Sequence, residues 1–277
     1  MNWGVVTIFP ELMDQALNVG VIGQARSRGL WQLQLINPRQ FTTDVHQSVD
    51  DRPFGGGDGM LMLAEPLAKA VESFGPSHVI HLSPKGRPWT DARARQLAEQ
   101  PRVLLVASRY AGVDQRWIDT FVDEEVSLGD FVISGGELAA ACVIDSVLRH
   151  RPGVLGNEVS ADAESFGGRF QLLEAPQFTR PREWRGQQVP PILAGGDHAK
   201  IEDFQFLTSL QLTLAVRPDL VKRALADQAP RLVDELRRIE KRRGRDAEFS
   251  NWNWSELRRE ISKLQGLCSA DREGVNK

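Results

Sequence analysis

Through the first half of the chain, short apolar runs alternate with segments whose apolar residues recur every three or four positions. A strand buried on both faces reads as a near-continuous apolar run, so this alternation points to βαβ units and a largely parallel sheet. The predicted strands are WGVVTIF (3–9), LWQLQLI (30–36), HVIHLS (78–83), RVLLVAS (102–108) and EVSLGDFVIS (125–134). Between them, ELMDQALNVGVIGQARSRG, AEPLAKAVESF, TDARARQLAEQ and DQRWIDTFV carry helix formers at helical spacing. A further helix is predicted from about Glu137 to Arg149. Ser134, Gly135, Gly136 and Glu137 fit an S-x-x-E capping box at its start.

After Pro152 the pattern changes to a stretch rich in glycine, proline and polar residues, from about 153 to 197. That composition suits a linker or loop. From Ala199 onward the chain reads helical, as IEDFQFLTSLQLTLAV, RPDLVKRALADQ and PRLVDELRRIEKRR, separated by Pro218 and Pro230. WSELRREISKLQGL is one more predicted helix, ahead of a polar end expected to fray. The expected organisation is an α/β unit over 1–160, a flexible linker over 161–176, a small helical domain over 177–246 and an extension over 247–277.

Composition narrows the class. A chain of 277 residues, 41% of them apolar, can bury a full core. No run approaches the roughly 18 apolar residues of a membrane span, and MNWGVVTIFPELM lacks the features of a signal peptide. The chain is therefore read as a soluble cytoplasmic protein. Cys142 and Cys268 lie far apart with no ligand spacing around them, which argues for free thiols over a disulfide framework or a zinc site. The net charge of −3 excludes a uniformly basic nucleic-acid binder, yet it hides an asymmetry. Residues 1–160 carry 14 Lys and Arg against 19 Asp and Glu, and the remainder 20 against 18. The positive excess concentrates in Arg237, Arg238, Lys241, Arg242, Arg243 and Arg245. Such a cluster reads either as a solvated helix face or as a patch that contacts phosphates.

The glycines carry the candidate chemistry. A Rossmann site needs G-x-G-x-x-G directly after the first strand, and here that strand ends in Phe9-Pro10-Glu11. There is also no G-x-x-x-x-G-K-[ST] sequence for a P-loop. The glycines lie instead in DDRPFGGGDGM and in three loops at strand ends, HLSPKGR, ASRYAGVD and SLGDFVISGGEL. Glycine there lets the backbone approach a ligand closely, and the three loops together are expected to form one pocket at the carboxyl edge of the sheet.

In these stretches the sequence resembles the bacterial tRNA (guanine-N1)-methyltransferase (TrmD) family, of the trefoil-knotted SPOUT class. The resemblance runs over about residues 1–220, in order: FPELM, HQSVDDRPFGGGDGM, LSPKGR, RYAGVD, DEEVSLGDFVISGGEL, IDSVLRHRPGVLGNE, FTRP, VPPIL and GGDHAKI. It implies a parallel α/β fold with a deep trefoil knot, a bent S-adenosylmethionine bound in the knot, and a homodimer with its sites between subunits. The implied reaction methylates N1 of the guanosine at tRNA position 37, with the helical domain binding tRNA. By match to the family motifs, the cofactor pocket uses His81, Leu82, Ser83, Pro84, Gly86, Tyr110, Gly112, Leu128, Gly129, Phe131, Ile133, Gly135 and Gly136. His46, Asp50, Gly55, Gly56, Gly57 and Gly59 match positions that face the target guanosine. The family's reaction is helped by magnesium, and Asp50, Asp51 and Asp58 are hard-cation ligand types, but no metal site is assigned.

Methylating guanine N1 requires removal of a ring proton and stabilisation of charge on O6, tasks for a carboxylate and a guanidinium. Arg149 matches the family's arginine; read without the resemblance, it is half of an i,i+4 pair with Asp145. In GVLGNEVSADAESF the family's catalytic aspartate aligns with Glu164, with Asp162 two residues earlier as the second candidate base. Three departures accompany this one. Ser108 stands where the family usually has glycine, Ala111 where it has glutamate, and IEDFQFLTSLQL lacks the family's basic residues. They leave two alternatives open, a related methyltransferase with another RNA substrate and a catalytically weak RNA-binding protein.

Overall fold

A computed structural model of the chain describes residues 1–156, 164–244, 246–249 and 252–274, the last eight of these by backbone alone. The chain forms two compact units, Met1–Glu158 and Val159–Lys277.

The first unit is built on a parallel five-stranded sheet, in the order β2-β1-β6-β5-β7. Its strands are β1 (Asn2–Val6), β2 (Gln32–Ile36), β5 (His78–Pro88), β6 (Arg102–Val106) and β7 (Glu124–Ser127). A separate hairpin pairs β3 (Asp50–Asp51) with β4 (Leu61–Met62). The helices are α1 (Pro10–Ala16), α2 (Gly20–Ser27), α3 (Ala64–Phe74), α4 (Asp91–Leu97), α5 (Gln115–Phe121) and α6 (Glu137–Leu148). Alternate strand residues serve opposite faces. Trp3, Val5, Val103 and Leu105 join the core beside α6, while Val6, Leu104 and Val106 join the core under α3 and α5. Gly4 shows how close that second face packs, since a Cβ there would lie 2.5 Å from Leu104 Cδ1 and 2.9 Å from Phe74. In α3, Leu67, Ala70, Val71 and Phe74 are buried at helical spacing, and the helix stops at Gly75, whose φ is +81°.

Three local expectations are corrected. The strand expected over 125–134 ends at Ser127, because Gly129 turns the chain at φ +154° and Phe131 N–H bonds back to the Gly129 carbonyl at 2.9 Å. The first helical stretch divides into α1 and α2 at Gly20, φ +66°. The capping box does not form: Gly136 is the N-cap residue of α6 and no side chain caps it. The Glu137 carboxylate is 1% exposed and is drawn inward by the Thr7 hydroxyl at 3.0 Å and the Arg109 guanidinium at 3.2 Å.

The second unit holds α7 (His198–Val216), α8 (Pro218–Arg243) and α9 (Trp254–Gly274). Helical structure begins at His198, within one residue of the expected start at Ala199, while residues 177–197, expected within the helical domain, carry a hairpin of β8 (Glu183–Trp184) with β9 (Gln187–Gln188) and a 3-10 turn over Pro191–Ala194. The expected break before Pro230 is a kink within α8, where Gln228 leaves helical geometry at φ −140°. Phe170 and Leu172, from the segment expected to be a flexible linker, are buried in the core of this unit. So are Phe249, Leu257 and Ile261 from the expected extension. Leu173 N–H donates to Thr213 Oγ1 at 3.1 Å, and its carbonyl accepts from Ser209 Oγ at 2.5 Å. These bonds anchor the segment to α7.

Candidate active site

The three strand-end loops of the first unit meet around a cavity of about 540 Å³, within the usual range for a small-molecule site. Twelve of the thirteen residues expected at the cofactor line it. Gly86 is the exception. It lies in the register shift of β5 against β7, between Leu82 and Arg87, where a Cβ would come 2.3 Å from Val126 N. The backbone of β7 fills the space its side chain would need.

Two other glycines shape the cavity. Gly112 has φ +130° with open space where a Cβ would be, and Gly136 is pressed against the strand end, its Cβ position 2.7 Å from Ala107 Cα. The loops are tied by Gly136 N–H to the Ser108 carbonyl at 2.9 Å and by the Arg109–Gly135 bridge. Arg109 pairs with the buried Glu137 and lies 4.3 Å over the Phe9 ring. A charged group is thereby held beside the cavity by a carboxylate it also neutralises.

Sequence reasoning missed the roles of Ser108 and Glu125. At the strand ends, His81 is 3% exposed, with Nδ1 at 2.8 Å from Glu125 Oε1 and Nε2 at 2.9 Å from Ser108 Oγ. Burial, the largest influence, lowers the pKa of the ring, while the hydrogen bond and charge of Glu125 oppose the shift. No sequence spacing signals this group, because it exists only where β5 lies between β6 and β7.

The residues expected at the guanosine sit around the hairpin. Gly55, Gly56, Gly57 and Gly59 all have positive φ, from +77° to +112°. Their loop abuts the cavity loop through Ala111 N–H to the Met60 carbonyl and Met62 N–H to the Gly112 carbonyl, both at 2.9 Å. Partial burial first, then the neighbouring Asp50 carboxylate, hold the Tyr110 phenol above its ordinary pKa. His46 is exposed, and its N–H donates to Asp44 Oδ2 at 3.1 Å. Among the described residues, no group of three or more His, Cys, Asp and Glu is arranged to hold a metal ion. No helix among them is long and apolar enough to cross a membrane.

Neither Arg149 nor Glu164 is among the residues that line this cavity. Arg149 is the half-buried C-cap residue of α6, its N–H bonded to the Asp145 carbonyl at 3.2 Å, and it does not line the cavity. Glu164 belongs to the second unit and lines a depression of about 380 Å³ there, with Phe170, Gln205 and Phe206. Asp162 lies outside the described residues. In the basic cluster, Arg242 and Arg243 bind the buried Asp203, Arg238 pairs with Glu235, and Arg237 approaches Asp234 at 3.8 Å. Much of that charge is paired within the chain.

Residues 1–223 match the family model described as tRNA (Guanine-1)-methyltransferase TrmD. The chain belongs to that family. It is 46% identical over 238 residues to a tRNA (guanine-N(1)-)-methyltransferase of Neisseria meningitidis serogroup C, covering 84% of this chain and 95% of that protein. Proteins of the same name from Thiobacillus denitrificans (46% over 237 residues, 82% and 99% of the two chains) and Alcanivorax borkumensis (47% over 240 residues, 83% and 91%) are similar to the same extent.

The cavity fits the methyl donor this family implies. Its lining combines backbone of glycine loops with Leu82, Leu128, Phe131 and Ile133, which suits a flat adenosine. Among the described residues that line it, Lys85 and Arg109 are the only lysine and arginine, too few to cradle a triphosphate, while Glu125 and Ser108 offer acceptors to a cationic ligand.

Proposed function

We propose that this protein uses S-adenosylmethionine to form 1-methylguanosine at position 37 of tRNA, beside the anticodon. The observation that carries the reading is the convergence of the three strand-end loops on one adenosine-sized cavity in a chain of this family. When bound, the cofactor supplies an electrophilic methyl group on its sulfonium. The chain's own residues do the rest. Glycine backbone and apolar side chains from Leu82 to Ile133 hold the adenosine and exclude water from it. The hairpin loop at 55–59, with His46 and Asp50, holds the target guanosine.

Glu164 accepts the proton that leaves guanine N1, and the Arg149 guanidinium stabilises the charge that forms on O6. Glutamate keeps the basicity of the family's aspartate and adds one carbon–carbon bond, about 1.5 Å of reach. Asp162 is the second candidate base.

A deep trefoil knot and a homodimer belong to the same reading. The knot is what the family match over residues 1–223 implies. Exposed apolar side chains support the dimer: Leu12 on α1 and Leu138 on α6, two helices that pack together, with Val19, Val21 and Val132.

The test is incubation with labelled S-adenosylmethionine and tRNA transcripts carrying guanosine or adenosine at position 37, followed by nucleoside analysis. The expected product is 1-methylguanosine from the first transcript alone. Equal transfer to both transcripts contradicts the assignment, and cofactor binding without transfer to either favours a protein that binds RNA without turnover.

A further inference from the structure

The side chain of His81 receives one group from each of three elements. Its backbone pairs with Val106 of β6 on one side and Glu125 of β7 on the other. Glu125 Oε1 meets Nδ1 at 2.8 Å, Ser108 Oγ just beyond β6 meets Nε2 at 2.9 Å, and Trp117 of α5 lies edge-on to the ring at 6.3 Å. An ionised carboxylate only accepts, so Nδ1 carries the hydrogen and donates it to Glu125. In a neutral imidazole Nε2 is then bare, and it accepts the hydroxyl hydrogen of Ser108. A serine hydroxyl has one hydrogen. With that hydrogen turned toward His81, Ser108 offers only oxygen lone pairs to the cavity it lines.

We infer that Ser108 is a specificity-determining residue of the cofactor pocket, an acceptor whose polarity the His81–Glu125 pair sets and which selects a hydrogen-bond donor group on S-adenosylmethionine. The inference rests on the methyl-donor reading above and adds to it a residue that touches the ligand and two, His81 and Glu125, that position it. It also makes binding depend on pH in a defined direction. Protonation of His81 places a hydrogen on Nε2, which then donates to Ser108 Oγ, and the hydroxyl hydrogen turns into the cavity against the donor it had accepted.

Burial lowers the ring's pKa, Glu125 opposes that shift and Lys85 reinforces it. Those two are the charged groups that face the ring; Ser108, Trp117 and Val106 are neutral. The acceptor state is therefore complete above the ordinary histidine value of 6.5 and is lost as pH falls through the ring's depressed value.

The test is calorimetric titration of S-adenosylmethionine into the full chain and its variants, from about pH 8 to about pH 5, with circular dichroism to check the fold. Wild-type affinity is expected to fall on acidification. Ser108→Ala is expected to bind about threefold to tenfold more weakly at the alkaline end, the value of one hydrogen bond, and to lose the acid-dependent fall. Ser108→Thr keeps the hydroxyl and should restore both properties. A folded Ser108→Ala that matches wild type at both ends of the range, or that keeps the full acid-dependent fall, overturns the inference. A folded wild-type protein that fails to bind S-adenosylmethionine at any pH overturns the methyl-donor reading itself.

Discussion

Two carboxylates, Asp203 and Glu137, are 2% and 1% exposed, at places where an unpaired charge costs several kcal/mol. Asp203 is held by Arg242 and Arg243, which ties α7 to the last turn of α8, and Glu137 by Thr7 and Arg109, which ties α6 to β1 and the strand-end loop. Neither is available as a base. Glu164 and Asp162 remain the two acids offered for proton transfer, and their variants separate them. Glu164→Gln keeps the side chain's shape and removes the proton acceptor, so single-turnover methylation should fall by about 10²-fold to 10⁴-fold with cofactor affinity unchanged. Asp162→Asn should cost much less, and Glu164→Asp should retain activity if reach alone distinguishes it from the family's aspartate. An inactive Asp162→Asn beside an active Glu164→Gln would reverse the assignment. Arg149→Ala should lower methylation by about 3–4 kcal/mol of transition-state stabilisation while cofactor affinity, read by calorimetry, stays the same.

Among the elements, the start of α6 against the end of β6 sets the shape of the strand-end cavity. Gly136 touches Ala107 and Ser108 backbone, and a methyl group there has rigid main chain on the side it would enter. Gly136→Ala should therefore destabilise the first unit by about 1–3 kcal/mol in denaturant titrations and weaken S-adenosylmethionine binding. Gly156→Ala, where a Cβ meets nothing within 4 Å, is the control expected to do neither. The same contact explains why one sequence signal misled. Ser134 to Glu137 reads as a capping box because the spacing is local, yet the Glu137 carboxylate finds Thr7, 130 residues away, and a buried partner outcompetes an exposed backbone donor. Helices α3 to α5 and the strands β1, β2, β5 and β6 were legible because period 3.6 and continuous apolar runs are written directly in residue order. The failure at 125–134 came from a glycine that turns the chain inside an apolar run.

For the whole molecule, the exposed apolar side chains on α1, α2 and α6 lead to a prediction about assembly. Sedimentation equilibrium should find a dimer at micromolar concentrations, and Leu138→Asp, at a side chain 59% exposed, should weaken association by at least about tenfold without unfolding the chain. Methylation should fall with the dimer. A fully active monomer would contradict a site shared between subunits. The amino-acid sequence by itself determined the α/β class of the first unit, the helical character of the second, the family, and twelve of the residues that line the strand-end cavity, since each of these is carried by local periodicity or by contiguous motifs. Tertiary structure alone decided that Gly86 faces β7 instead of the cavity, that Phe170 and Leu172 are core residues of the second unit, and that Arg242 and Arg243 share the carboxylate of Asp203. It also brought His81, Ser108 and Glu125 together. The physical reason is common to all four. Hydrogen bonds, ion pairs and close backbone contacts act over a few ångströms, so the partner of a group is set by which strands and helices lie side by side, and residue order does not record that neighbourhood.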